Sequence, residues 1–179
     1  MARSCPIQSR ILAAVADDCT LVAVIGQGSF RLAAAFKQAA EAARLAGSPL
    51  IVVDMAKCIS MDSTFMGALA ALGFAVQKSS DTRLVLINVS PSAYNLLHGL
   101  GISRILKTYS IGAIPEGMGD LTPLVDNLKP VESAPCSAYE MAALMFDAHE
   151  TLTRADPENL QRFKDVLAFL QEDLQRTES

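Results

Sequence analysis

Apolar residues along this chain follow two rhythms. Short runs rich in β-branched side chains occupy residues 11–15, 20–25, 50–53 and 83–87, whereas longer segments space Ala, Leu, Met and Phe three or four positions apart. The first rhythm predicts strands and the second helices. The runs 11–15 and 20–25 flank Asp17-Asp18, which is hairpin spacing with an acidic turn. After Gly26-Gln27-Gly28 ends the second strand, Leu32, Phe36, Ala39, Ala43 and Ala46 share a helical face opposite Lys37, Glu41 and Arg44, and Gly47 stops that helix as a left-handed cap. Pro49 introduces Leu50-Ile51-Val52-Val53, apolar enough for a central strand covered on both faces. That strand ends at Asp54, a loop follows, and a second helix is expected over residues 63–78. Asp81-Thr82 turns into the strand 83–87, after which Ser90 as cap and Pro91 as first residue open a third helix. A short strand is expected at 109–111 and a short helix over 120–128. The order β-β-α-β-α-β-α-β-α calls for an α/β fold, a mixed sheet with helices packed on it.

The pattern changes near residue 130. Pro130 and Pro135 mark 129–137 as a linker; beyond it Met141, Leu144, Met145, Ala148 and Leu152 line one helix. Asp156-Pro157-Glu158 caps a second, with Leu160, Phe163, Leu167, Leu170 and Leu174 on its stripe. The chain therefore divides into a body over 1–128, a linker over 129–137 and a helical hairpin over 138–179. Two such helices cannot bury their stripes alone. The helix beginning at Ser63 poses the complementary problem: Phe65, Leu69, Leu72 and Val76 form one apolar stripe, Met66, Ala70 and Phe74 another, and no charged side chain occurs through Gln77. At about 22 Å it is too short to span a bilayer. The C-terminal helices are the expected cover, packing on it through their Met and Leu stripes; a homodimer or a partner protein comes next.

Composition and charge narrow the function. With 179 residues, 51% hydrophobic and 19% charged, the chain is neither disordered nor collagen-like. The net charge of −4 is uneven: 10 Lys+Arg against 7 Asp+Glu over residues 1–119, but 5 against 12 over 120–179. The net negative charge argues against general nucleic-acid binding, which needs a basic face to neutralise phosphates. The basic start Met1-Ala2-Arg3-Ser4-Cys5 is followed by an apolar run too short for a signal core, and no segment reads as inserting in a membrane. Cys5, Cys19, Cys58 and Cys136 form no CxxC pair, so reduced thiols and a cytoplasmic location are expected. No phosphate loop, dinucleotide fingerprint, nucleophile elbow or zinc helix occurs. His98 and His149 lie in different helices without carboxylates at ligand spacing and read as packing or surface residues. No base is evident for a nucleophilic Ser63. Catalytic residues, metal and cofactor are accordingly not expected.

The most informative stretch runs from the strand at 50–53 through Met61-Asp62-Ser63-Thr64 into the uncharged helix. Asp62 or Ser63 serves as the helix N-cap. A hydroxyl at a helix N-terminus is also where free amides and the helix dipole favour a phosphate. These residues, with Leu86-Ile87-Asn88-Val89-Ser90-Pro91, Leu96-Leu97, Gly101-Ile102 and Ile105-Leu106 farther on, resemble the STAS domains, typified by bacterial anti-sigma factor antagonists. The resemblance covers roughly residues 8–128.

The resemblance implies a phospho-switchable protein-binding module that is not an enzyme. Ser63 would be phosphorylated by an anti-sigma factor of the histidine-kinase-like ATPase type, Thr64 being a second acceptor. The unphosphorylated form would sequester that kinase, phosphorylation would release it, and a serine phosphatase would reset the switch. Asp62, Ser63, Thr64, Phe65 and Met66, with Gly26, Gln27 and Ser29 from the loop after the second strand, would form the contact face. Two positions depart from the family pattern. Phe65 stands where glycine is common, an apolar anchor if exposed and core if buried; Ser29 stands where an acidic residue is frequent. The alternative is a constitutive STAS scaffold or accessory subunit, in a stress-signalling assembly or a lipid-transport ATPase, without a phospho-switch.

Overall fold

The computed structural model describes residues 8–79 and 81–177; Cys5 and the basic start of the chain fall outside them. Strands β1 (Arg10–Val15) and β2 (Thr20–Gly28) form the expected antiparallel hairpin, closed where the Ala16 amide donates to the Cys19 carbonyl at 2.8 Å. The chain continues through α1 (Phe30–Leu45), β3 (Leu50–Met61), α2 (Ser63–Gln77), β4 (Arg83–Val89), α3 (Pro91–Gly99), a 3-10 turn (Ile102–Arg104), β5 (Lys107–Ser110), α4 (Thr122–Asp126) and β6 (Lys129–Pro130). Two long helices follow, α5 (Ala138–Ala155) and α6 (Asn159–Thr177). The sheet runs β5-β4-β3-β2-β1-β6, parallel from β2 to β5 and antiparallel at β1 and β6.

Alternation along the central strands builds two apolar layers. Ile51, Val53, Leu84, Leu86, Val22 and Val24 join Phe36, Phe65 and Leu69 in the core beneath α1 and α2. Leu21, Val52, Val85 and Ile87 point the other way, into a smaller cluster with Leu124 of α4, Leu121 and Met118. Coverage on both faces explains why β3 begins as an unbroken apolar run.

The structure corrects several boundaries. β3 does not stop at Asp54 but continues to Met61, pairing with β2 as far as Gly28 opposite Met61, with register shifts between Ala23 and Ile25 and between Gly26 and Gln27. Lys57 and Ser60 interrupt the apolar run there, yet ladder bonds need only backbone. The strand expected at 109–111 is β5, which runs from Lys107 to Ser110. Lys129 and Pro130, expected in a linker, pair with β1, and the Val131 amide donates to the Ile11 carbonyl at 2.9 Å.

The C-terminal hairpin packs on α2, as its uncharged surface requires. Arg154 places its guanidinium 4.3 Å from the centre of the Phe74 ring. Gly67 permits the closest approach: a Cβ there would collide with the Ala148 backbone. The seam differs from the expected Met and Leu stripe, because the buried residues of α5 are Ala142, Ala148, His149 and Leu152, while Met141 and Met145 are only half-buried. Small residues let the helix backbones approach, leaving the methionines at the margin. No helix among the described residues is long and apolar enough to cross a membrane.

Candidate phosphorylation and partner-binding site

The paired ends of β2 and β3 deliver two helices side by side. The Asp62 amide donates to the Gly28 carbonyl at 2.9 Å, which places the N-termini of α1 and α2 next to each other. Both helices begin with orphan amides. Ser29, the N-cap of α1, makes no side-chain cap bond. Asp62 serves both helices instead: Oδ1 accepts from the Phe65 amide at 2.8 Å, and Oδ2 accepts from the Phe30 amide at 2.7 Å. Of the two cap candidates for α2, Asp62 is therefore the cap and Ser63 the first helical residue.

Ser63 is half-buried, and its partner lies 86 positions away: Oγ is 2.9 Å from His149 Nε2. The other ring nitrogen, Nδ1, is 2.7 Å from the Met145 carbonyl oxygen one turn earlier. A carbonyl can only accept, so Nδ1 carries a proton, and in the neutral imidazole Nε2 accepts a hydrogen bond from the Ser63 hydroxyl. His149 is itself 3% exposed, with Phe163 of α6 meeting its ring edgewise at 5.0 Å. The arrangement supplies what the sequence did not offer, an imidazole in contact with Ser63. The available signal was weak: a histidine on the same apolar face as Ala148 and Leu152, with nothing to indicate what it would meet.

The remaining expected contact residues divide by exposure. Gln27 is exposed and Ser29 half-buried, whereas Gly26, Thr64, Phe65 and Met66 are buried. Phe65 is core, 0% exposed and 5.2 Å from the Phe36 ring at a tilt of 55°. It is not a surface anchor. Gly26 adopts φ +77° and packs against Ser9, whose Oγ accepts from the Gln27 amide at 2.9 Å. A side chain at Gly26 would be strained as well as crowded.

An anti-sigma factor antagonist from Mycobacterium paratuberculosis superposes with TM-score 0.50 at 22% identity, covering 57% of this chain and 86% of its own. TM1081 from Thermotoga maritima, solved by NMR, gives TM-score 0.50 at 18% identity, covering 55% and 79%. The phosphorylated form of the Bacillus cell fate determinant SpoIIAA gives 0.45 at 16%, covering 57% and 89%. At these identities the first two show a likeness of fold alone. No curated protein sequence matches the chain. The STAS domain family model matches residues 10–111, more than half of the sequence. The chain belongs to the STAS domain family, and α5 and α6 lie beyond the matched residues.

Proposed function

We propose that this protein is a partner-switching signalling module of the anti-sigma factor antagonist type, with Ser63 as phosphoacceptor, and that it acts by binding rather than by catalysis. The observation carrying this reading is the position of Ser63: first residue of α2, beside the carboxylate that caps both helices, in a STAS domain. Its partner would be an anti-sigma factor with serine-kinase activity of the histidine-kinase-like ATPase type, opposed by a serine phosphatase in a cytoplasmic bacterial circuit controlling transcription. Contacts would come from Gln27, Ser29, Asp62 and Ser63. Phosphate at Ser63 would add about −1.5 to −2 charges beside Asp62. Against a partner carboxylate at about 5 Å and an effective dielectric near 20, each unit of that charge would cost about 3 kcal/mol before screening, enough to change affinity about a hundredfold.

The test is incubation with ATP and each histidine-kinase-like ATPase of the source organism, followed by mass spectrometry. Phosphate at Ser63, absent in Ser63→Ala, supports the reading; phosphate confined to other residues, or none with any of these kinases, counts against it.

The engagement of the Ser63 hydroxyl by His149 favours a second reading, a constitutive STAS scaffold or accessory subunit. Under it, a stable complex would form equally with the parent chain, Ser63→Ala and Ser63→Asp. A phospho-switch requires Ser63→Asp to lose the partner.

A further inference from the structure

Modification of Ser63 requires access, and in this fold the half-buried hydroxyl is engaged by His149 of α5. Phosphoryl transfer forms a bond from Ser63 Oγ to the γ-phosphorus of ATP, breaks that phosphorus's bond to the ADP oxygen and passes the hydroxyl proton to a base on the kinase. The donor must approach within about 3–3.5 Å of the attacking oxygen. Part of that space is taken: His149 Nε2 sits 2.9 Å from Oγ, and the buried imidazole is backed by Phe163. The obstruction is helix α5 rather than one side chain, since α5 continues along α2 past Gly67 to Phe74.

We propose that the α5–α6 hairpin is a built-in cover that occludes Ser63 and the adjoining face of α2, and that it must lift before Ser63 can be phosphorylated. The inference rests on the reading of Ser63 as phosphoacceptor and adds its regulation.

Three features make the cover separable from the body. It lies outside the family-matched residues and is joined to β6 by residues 131–137, which form neither helix nor strand. Its far end is held by polar clasps on the corner after α3: Arg104 pairs with Asp156, the Arg162 guanidinium donates to the Gly99 carbonyl at 2.8 Å, and Asn159 Nδ2 donates to the Leu100 carbonyl at 3.1 Å. Toward α1 the seam is incomplete, leaving a cleft of about 140 Å³ lined by Ala40, Ala71, Leu144 and Asp147. α5 and α6 meanwhile hold each other through contacts such as His149 with Phe163, so the hairpin can move as a unit.

Gly67 gives the means of testing it. Alanine is a better helix residue than glycine, so Gly67→Ala favours α2 itself while its Cβ drives α5 away at Ala148. In a Ser63→Cys chain, residue 63 is labelled with a small methanethiosulfonate and, separately, with a bulky polymer-linked maleimide, and peptide mass spectrometry isolates it from the other cysteines. The ratio of the bulky reagent's rate to the small one's reads steric cover, since the thiol's intrinsic reactivity enters both. The ratio should be depressed about tenfold or more relative to an unstructured peptide containing the same cysteine. It should recover toward the peptide's value on adding Gly67→Ala or, independently, Arg104→Ala with Arg162→Ala, which alters only exposed clasps. No depression, or depression unchanged in both releasing chains, overturns the cover. With Ser63 intact, Gly67→Ala should also speed phosphorylation by a competent histidine-kinase-like ATPase, and equal rates overturn the gating role. If labelling reveals a releasable cover but no such kinase modifies even the released chain, the cover stands and the phosphoacceptor reading fails.

Discussion

Asp62 uses both carboxylate oxygens, one on each of two neighbouring helices. An N-cap is worth about 0.5–2 kcal/mol, so Asp62→Ala should lower stability in urea denaturation by about 2–3 kcal/mol. Asp62→Asn, which keeps one acceptor oxygen, should lose about half as much. A loss from Asp62→Ala below about 1 kcal/mol would mean that Ser29 takes over the start of α1. Cys19 illustrates the opposite environment. Burial, reinforced by the nearby Asp18 carboxylate, pushes its thiol up to about 11, and the residue is 5% exposed. At pH 8 it should resist iodoacetamide in the folded chain and react once urea unfolds it, as pulse labelling would reveal. At this scale the sequence was partly legible. Asp-Ser before an apolar helix announces a cap, but the second helix served by Asp62 and the imidazole touching Ser63 arise from contacts 32 and 86 positions apart. No local pattern encodes those.

Elements were legible wherever burial imposed a period. β4 and α3 follow the apolar rhythm and Ser90 caps as expected, its Oγ accepting from the Ala93 amide at 3.2 Å. The far half of β3 was not, because residues beyond Asp54 are held by ladder bonds to β2 while much of their side-chain surface remains exposed. That extension matters to the site, since it carries the chain to the point where α2 starts beside α1. Phe65 locks the joint: its ring is buried against Phe36 and lies within 3.0 Å of where a Gly28 Cβ would be. Phe65→Ala should therefore cost about 3–5 kcal/mol by chemical denaturation, with Phe65→Leu costing distinctly less. Equal losses would indicate that the ring's shape, rather than the cavity, sets the penalty.

Across the whole molecule, the acidic third of the chain is folded back on the body. The Glu158 amide, aided by the Arg104 guanidinium, holds the Asp156 carboxyl below its usual range, and the Ser137 amide does the same for Glu140 in the capping box that opens α5. A carboxyl lowered in the folded state stabilises it above the unfolded value and ceases to do so as pH falls through the folded one. Below about pH 4, amide protection factors over residues 138–177 should fall before those of the central strands. Simultaneous exchange everywhere would make the hairpin part of one cooperative unit. Prolines and the change of charge pointed to a linker from residue 129, but nothing local signalled the two residues of β6 that fasten the connection to the sheet edge. With Val131 also bonded to Ile11, only residues 132–137 can swing, reaching about 20 Å when extended. A short tether keeps a detached segment at an effective concentration in the millimolar range. A free protein at micromolar levels that needs the same face of α2 faces a competitor about a thousandfold more concentrated. The short tether thus sets a threshold: weak or scarce binders are filtered out, and only one with high affinity or abundance displaces the resident segment.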